Sequence, residues 1–342
     1  MTNRANIASL DDIRRLLADL PGADIGALAL AVAHEPQLTK PPGALGRLED
    51  LSAWLAAWQG RHPPILERPA TCVFAGNHGV TAQGVSAFPA EVTAQMVANF
   101  EAGGAAVNQL CKTFGATLSV TALDLETSTA DMTEAPAMTE GDCVAAFITG
   151  MEAVDGTADI LCLGEMGIGN TTSAAAICHA LFGGAAADWT GPGTGVEGDA
   201  LDRKAQVVGR AVAFHGDALQ DPLEVLRRLG GRELAAICGA IVQARLERVP
   251  VLLDGYVCTA AAAVLDLVAP GALDHCQVGH ASAEPGHRLL VEALVKEPVL
   301  DLGMRLGEAS GAVLAIGILK AAVACHTGMA TFADAGVSDK DG

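Results

Sequence analysis

The sequence predicts an α/β fold in which many helices pack on a mostly parallel sheet, and three observations carry that prediction. Apolar runs of strand length, such as residues 160–163, read as parallel strands buried on both faces. Their carboxyl ends pass into glycine-rich or polar turns, where open α/β sheets place their ligands. Between them lie Ala-rich stretches of helical length, in a 342-residue chain that is 51% hydrophobic but only 4% aromatic.

The elements follow in order. Leu10, Ile13, Leu16, Leu17 and Leu20 share one helical face, Pro21-Gly22 ends that helix, and a second covers 25–33. The prolines of Lys40-Pro-Pro-Gly-Ala-Leu-Gly-Arg-Leu-Glu49 impose an extended turn, and Gly43 or Gly46 restarts a helix carrying Leu48, Leu51, Trp54 and Leu55. Arg61-His-Pro-Pro64 reads as a boundary. Residues 71–75 form a strand that ends in Gly76-Asn77-His78-Gly79-Val80. Then come Gly84-Val-Ser-Ala-Phe-Pro89, a helix over 91–100, a further helix after Gly103-Gly104, a β-like run over 117–124, and a Thr-rich segment, 125–142, that reads as a surface loop.

The central stretch, 159–177, is a strand, a turn with Gly164, Gly167 and Gly169, then Asn170, Thr171 and Thr172 opening an Ala-rich helix. Free backbone N–H groups and the positive end of a helix dipole suit a phosphate there, with Glu165 at the strand's carboxyl end. The alternative is a tight strand-to-helix turn without a ligand. Residues 189–198 contain Gly193, Gly195 and Gly198 in a literal G-x-G-x-x-G spacing. Pro192 interrupts it, no strand precedes it and no strand-borne acid follows at the expected distance, so it reads as a flexible loop. The following helix carries Arg203, Lys204 and Val208. Two more helices lead to a strand over 250–254 ending in Asp254, then a buried helix over 255–267. Residues 273–287 read as a loop that hugs a ligand, and an apolar helix over 312–325 follows Asp301-Leu-Gly-Met-Arg-Leu-Gly-Glu-Ala-Ser-Gly311.

Composition excludes several classes. Charged residues at 18% against 51% hydrophobic exclude disorder, and a formal charge of −19 disfavours nucleic acid and anionic membrane as partners. Nine cysteines without a C-x-x-C pair read as reduced core residues of a cytoplasmic protein. The N-terminal helix, with Asp11, Asp12, Arg14 and Arg15, is not a signal peptide, and the apolar run 255–265, flanked by Asp254 and Asp266, is too short to span a bilayer. His275, Cys276, His280 and His287 match no common zinc spacing, so a metal is not expected there, and no cofactor is expected either way.

Several side chains carry two readings each. Lys40 and Arg47 serve an anionic ligand or are paired. His78 is a site residue or a turn histidine satisfying backbone groups. Lys204 is the cation for the bound anion or a surface lysine. Glu308 is a helix N-terminal cap or a base whose pKa burial has raised.

Together the segments 40–49, Asn77-His-Gly-Val, Gly84-Val-Ser-Ala-Phe-Pro, Gly164-Glu-Met-Gly-Ile-Gly-Asn-Thr-Thr, Gly191-Pro-Gly-Thr-Gly, Ser282-Ala-Glu-Pro-Gly-His and Leu302-Gly-Met-Arg-Leu-Gly-Glu-Ala-Ser-Gly-Ala resemble the nicotinate-nucleotide–dimethylbenzimidazole phosphoribosyltransferases of cobalamin biosynthesis. They run in family order from residue 40 to residue 312. The resemblance implies a Rossmann-like, open, mostly parallel sheet flanked by helices over 61–300, a smaller helical domain from 1–60 plus 301–342, and a homodimer. It implies transfer of phosphoribose from nicotinate mononucleotide to 5,6-dimethylbenzimidazole, giving α-ribazole 5′-phosphate and nicotinate. It places the base on Glu308, Glu165 near the ribose, and nucleotide contacts on Gly167, Lys204, Ser282 and Gly286 with Leu306 beside them. It implies that Phe88 and Met96 line the benzimidazole pocket. Asn77, Pro192 and Ala309 depart from the family's usual Asp, Arg and Gly. Two rivals stay open: a related transfer or hydrolysis with another acceptor, and a nucleotide-binding protein without catalysis.

Overall fold

A computed structural model describes residues 7–338. At its centre lie five parallel strands, β1 (Pro69–Ala75), β2 (Thr117–Ala122), β3 (Ile160–Met166), β4 (Val251–Leu253) and β5 (Cys276–Val278), in the spatial order β2-β1-β3-β4-β5. The chain goes outward from β1 to β2, then returns past β1 to place β3 on its other side. This reversal opens a crevice beyond the carboxyl ends of β1 and β3, the location at which doubly wound sheets bind ligands. Their register pairs Phe74 with Glu165 and Ala75 with Met166, so both strands deliver their turns to the same place.

The helices are α1 (Leu10–Leu17), α2 (Ile25–His34), α3 (Arg47–Gln59), α4 (Val92–Glu101), α5 (Ala106–Phe114), α6 (Glu140–Glu152), α7 (Asn170–Phe182) and α8 (Ala186–Trp189). They continue as α9 (Asp199–His215), α10 (Pro222–Leu229), α11 (Arg232–Leu246), α12 (Tyr256–Val268), α13 (Pro285–Ala293), α14 (Ser310–Gly328) and α15 (Phe332–Ala335). Alternation along the strands divides them into two layers. Cys72, Phe74, Leu161, Leu163, Val251 and Leu253 point to the side of α6, α7, α10, α11 and α12. Val73, Ile160, Cys162 and Leu252 point to the side of α3, α5 and α14. The first helix joins the α12 side, whereas α2 and α14 pack on α3. Leu38 and Thr331 form a bridge between the two ends of the chain.

Two expectations about loops need correction. Within 125–142, Met132, Ala137 and Met138 are buried, and the amides of Ala137 and Met138 donate to the carbonyls of Arg228 and Arg227. The polar composition hid three apolar anchors that tie this segment into the core, and α6 already starts at Glu140, capped by Thr139. Within 273–287, Cys276–Val278 is the edge strand β5 and Pro285 opens α13, a position proline suits because its missing N–H is unpaired there anyway. Three residues are too few for the alternation by which strands are read from sequence.

All nine cysteines are free; eight are buried and Cys325 is half-buried. Among the described helices only α14 is long and apolar enough to cross a membrane, and here it packs on α3, α5, β3 and β4.

Candidate active site

At the end of β3 the chain turns through Gly167 and Gly169 into α7. Gly169 has φ +95°, a left-handed geometry that glycine adopts without cost, and a Cβ there would lie 2.9 Å from Thr81 Cγ2. The amides of Asn170 and Thr172 close the turn on the carbonyls of Gly167 and Gly169, and the amino end of α7 borders the crevice through Asn170 and Thr171. Two further glycines bring the C-terminal motif onto the same spot. A Cβ on Gly164 would lie 2.1 Å from the Ala309 nitrogen, and one on Gly307 would lie 2.6 Å from Glu165 Oε1. Only glycine permits these approaches, and they seat residues 307–309 directly on the end of β3.

A cavity of about 420 Å³ results. Glu165 and Glu308, both nearly buried, share its wall, and Gly167, Asn170 and Thr171 contribute the α7 end. Phe88, Val92 and Met96 form an apolar side; Tyr256, His280, Ser282, Glu284, Arg305 and Leu306 lie around the rest. The volume suits a nucleotide-sized ligand.

Burial sets the electrostatics. It pushes Glu165 up to about 8, reinforced by the charges of Asp254 and Glu233 and opposed by the Asn170 amide that donates to it. Burial also raises Glu308. Lys204 is buried and pushed down to about 8, while the Glu284 carboxylate acts in the opposite direction. Its Nζ donates to Thr171 Oγ1 and to the Gly191 carbonyl, each at 2.8 Å. It therefore stands just behind the turn, spanning the start of α7 and the 191–198 loop, and is not a surface lysine. Glu284 fastens that loop from the other side, Oε1 accepting the Gly193 amide at 2.9 Å.

Of the residues singled out from sequence, Glu165, Glu308, Gly167, Asn170, Ser282, Leu306, Phe88 and Met96 line this cavity together. Gly169 shapes the turn and Lys204 supports it from behind. Gly286 lies outside the lining; it lets α13 settle on Trp189 and Tyr256, where a Cβ would come within 2.8 Å of the Trp189 carbonyl. His78 also lies behind the site, buried between Glu233, paired with its Nε2, and Ser173 Oγ at 3.1 Å from Nδ1. Lys40 is consumed by Glu35 at 2.9 Å and Glu49 at 2.7 Å, and Arg47 donates to the carbonyls of Glu297 and Pro298; neither lines the cavity. Asn77 anchors its loop through Nδ2 to the Leu125 carbonyl at 2.8 Å, and Pro192 closes a turn with Gly195 and Val196.

Sequence reading missed Glu233, His280, Glu284 and Arg305. Glu284 stands inside a motif already noted, but Glu233 sits in an ordinary helix start and nothing local marks it. The two readings of Glu308 separate here: the free amides of Gly311 and Ala312 at the start of α14 are taken by Asp254 Oδ1 at 2.7 and 3.0 Å. The cap comes from β4, and the Glu308 side chain is left to the cavity.

Comparison with known proteins is concordant. A phosphoribosyltransferase family model matches residues 20–337. A nicotinate-nucleotide–dimethylbenzimidazole phosphoribosyltransferase of Rhizobium etli (strain CIAT 652) is 62% identical over 330 residues, covering 96% of this chain and 97% of its own. A protein of the same name from Rhizobium meliloti (strain 1021) is 61% identical over 331 residues, covering 97% and 98%. Among solved structures, CobT from Thermus thermophilus superposes with a TM-score of 0.85 at 43% identity, over 92% of this chain and 99% of that one.

Proposed function

The chain belongs to the nicotinate-nucleotide–dimethylbenzimidazole phosphoribosyltransferase family of pentosyltransferases, and on that premise we propose that it transfers phosphoribose from nicotinate mononucleotide to 5,6-dimethylbenzimidazole, with inversion at C1′ and Glu308 as general base. The products are α-ribazole 5′-phosphate and nicotinate. One observation supports this reading above the others: two nearly buried carboxylates, an apolar wall and a helix N-terminus converge on one cavity.

The benzimidazole lies against Phe88, Val92 and Met96. One ring nitrogen attacks C1′ as the C1′–N bond to the pyridinium breaks; that bond's electron pair neutralises the departing ring. Positive charge builds on the attacking base, and its N–H proton passes to Glu308. In a dry slot Glu308 is a stronger base than in water. Glu165 holds a proton in the free site at neutral pH; the cationic ring of the bound nucleotide lowers its pKa, the proton leaves to solvent, and the carboxylate then favours the charge developing at C1′. The α7 turn and Ser282 hold the 5′-phosphate, Lys204 adds its positive charge from behind the turn, and together they convert distant binding into orientation.

This reading retains a cytoplasmic homodimer that needs no cofactor and binds neither nucleic acid nor membrane. It also retains the division into residues 61–300 and the unit from 1–60 plus 301–342. The packing of α2 and α14 on α3 supports that division, and α1 on the α12 side stands apart from it.

Incubating the purified protein with nicotinate mononucleotide and a panel of bases, and identifying the nucleoside phosphate made, tests the proposal. Nicotinate should appear only when an acceptor is present. Release without acceptor indicates a hydrolase, and binding without product indicates a non-catalytic protein.

A further inference from the structure

We infer that Asp254, which the proposed chemistry does not use, is the positioning residue for Glu308: it holds the first turn of α14 in place and so aims the carboxylate at residue 308 into the cavity. The inference rests on the reading of Glu308 as the base.

Asp254 directly follows β4 and is fully buried. The residue at the N-cap position of α14 is Ala309, which has no side-chain acceptor. Asp254 reaches across more than fifty positions of sequence to supply one, accepting from both Gly311 and Ala312. An anion at a helix N-terminus is favoured by the dipole as well as by the two N–H bonds. What it secures is an awkward piece of backbone. Glu308 and Ala309 have φ of 63° and 64°, two consecutive non-glycine residues in the left-handed region. Such residues persist only where their surroundings impose them. The strain falls on the proposed base itself, immediately before the two amides that Asp254 grips.

A second buried group packs against the same point. A Cβ on Gly311 would lie 1.8 Å from His280 Nδ1, so the glycine is what admits the imidazole, and that nitrogen lies 3.5 Å from Asp254 Oδ1. The other carboxylate oxygen, Oδ2, has no hydrogen-bond partner among the described residues. The charged or titratable groups around Asp254 are Glu308 from the loop before α14, Glu165 and Cys162 from β3, Cys258 from α12 and His280 after β5. None is a cation: burial lowers the His280 pKa and raises those of the thiols. Burial pushes Asp254 itself up to about 7, opposed by the amides at the start of α14, and its charge is among the causes that hold the proton on Glu165.

The test compares Asp254→Ala with the near-isosteric Asp254→Asn, which keeps an acceptor oxygen but not the charge. Misplacing a catalytic group by about 1 Å costs on the order of 100-fold, so the Ala variant should lose about 10- to 100-fold in kcat with KM for nicotinate mononucleotide within about threefold. The Asn variant should recover most of that kcat, and the acid limb of its pH–rate profile should lie at lower pH, because the Asp254 charge that helps to hold Glu165 up at about 8 is gone. An Ala variant of full turnover, an Asn variant as slow as the Ala variant, or an acid limb that does not move overturns the inference. If the Ala variant does not fold, the acid limb of the Asn variant decides alone. Glu308→Gln is run alongside. If that variant keeps turnover, the assignment of the base fails, whatever Asp254 does; if it loses turnover while the Asn profile stays fixed, only the present inference fails.

Discussion

Glu308 and Glu165 differ less in chemistry than in surroundings, and this makes their roles separable by experiment. Glu308→Gln should lower kcat by roughly 10²–10⁴-fold while thermal unfolding stays cooperative, since a general base contributes about that much and its removal leaves no cavity. Near-normal turnover would remove it from the base role. The free-enzyme profile carries a second test. Burial holds Glu165 up at about 8, so its carboxylate form is lost as pH falls below that value. The ratio kcat/KM, which reports ionisations of the free enzyme, should therefore rise between pH 6 and about 8, and a profile flat over that interval would contradict the need for both carboxylates. Both glutamates were identifiable in the sequence from the glycines that flank them. Their protonation was not, because the causes for Glu165 include Asp254 and Glu233, far along the chain.

The elements that matter most here are the strand ends and the turns that follow them. Strands β1 and β3 were legible as apolar runs because both their faces are covered, whereas β5 is only three residues long and lay unnoticed among histidines. The contact between β3 and the start of α14 rests on a missing side chain. Gly164→Ala would drive a Cβ to 2.1 Å from the backbone nitrogen of Ala309, which cannot rotate out of the way. Overpacking of this kind should destabilise the fold by roughly 1–3 kcal/mol and separate Glu308 from Glu165. Denaturant unfolding together with turnover would measure both effects; a variant normal in each would show that the approach is dispensable.

For the molecule as a whole, an acidic chain that takes an anionic nucleotide must offset its own field locally, and the proposed mechanism gives that part to Lys204 and the start of α7. Keeping Glu165 buried costs stability. Its pKa rises from 4.5 unfolded to about 8 folded, so the native state binds the proton more tightly and this contribution is lost as pH increases across that interval. Glu165→Gln, which does not titrate, should be more stable than the parent protein by up to about 4 kcal/mol near pH 8, with the difference vanishing toward pH 4.5 and activity reduced. A Tm difference independent of pH would refute this. The sequence by itself determined the α/β class, the glycine turn after β3, the family and eight of the residues that line the cavity, because apolar run length, glycine spacing and short motifs are local properties of a chain. Only the tertiary structure decided that Lys204 is buried, that His78 and Gly286 stand behind the site, and that Asp254 rather than Glu308 caps α14. A side chain's dielectric, charge neighbours and hydrogen-bond partners come from residues tens to hundreds of positions away, and no local pattern encodes them.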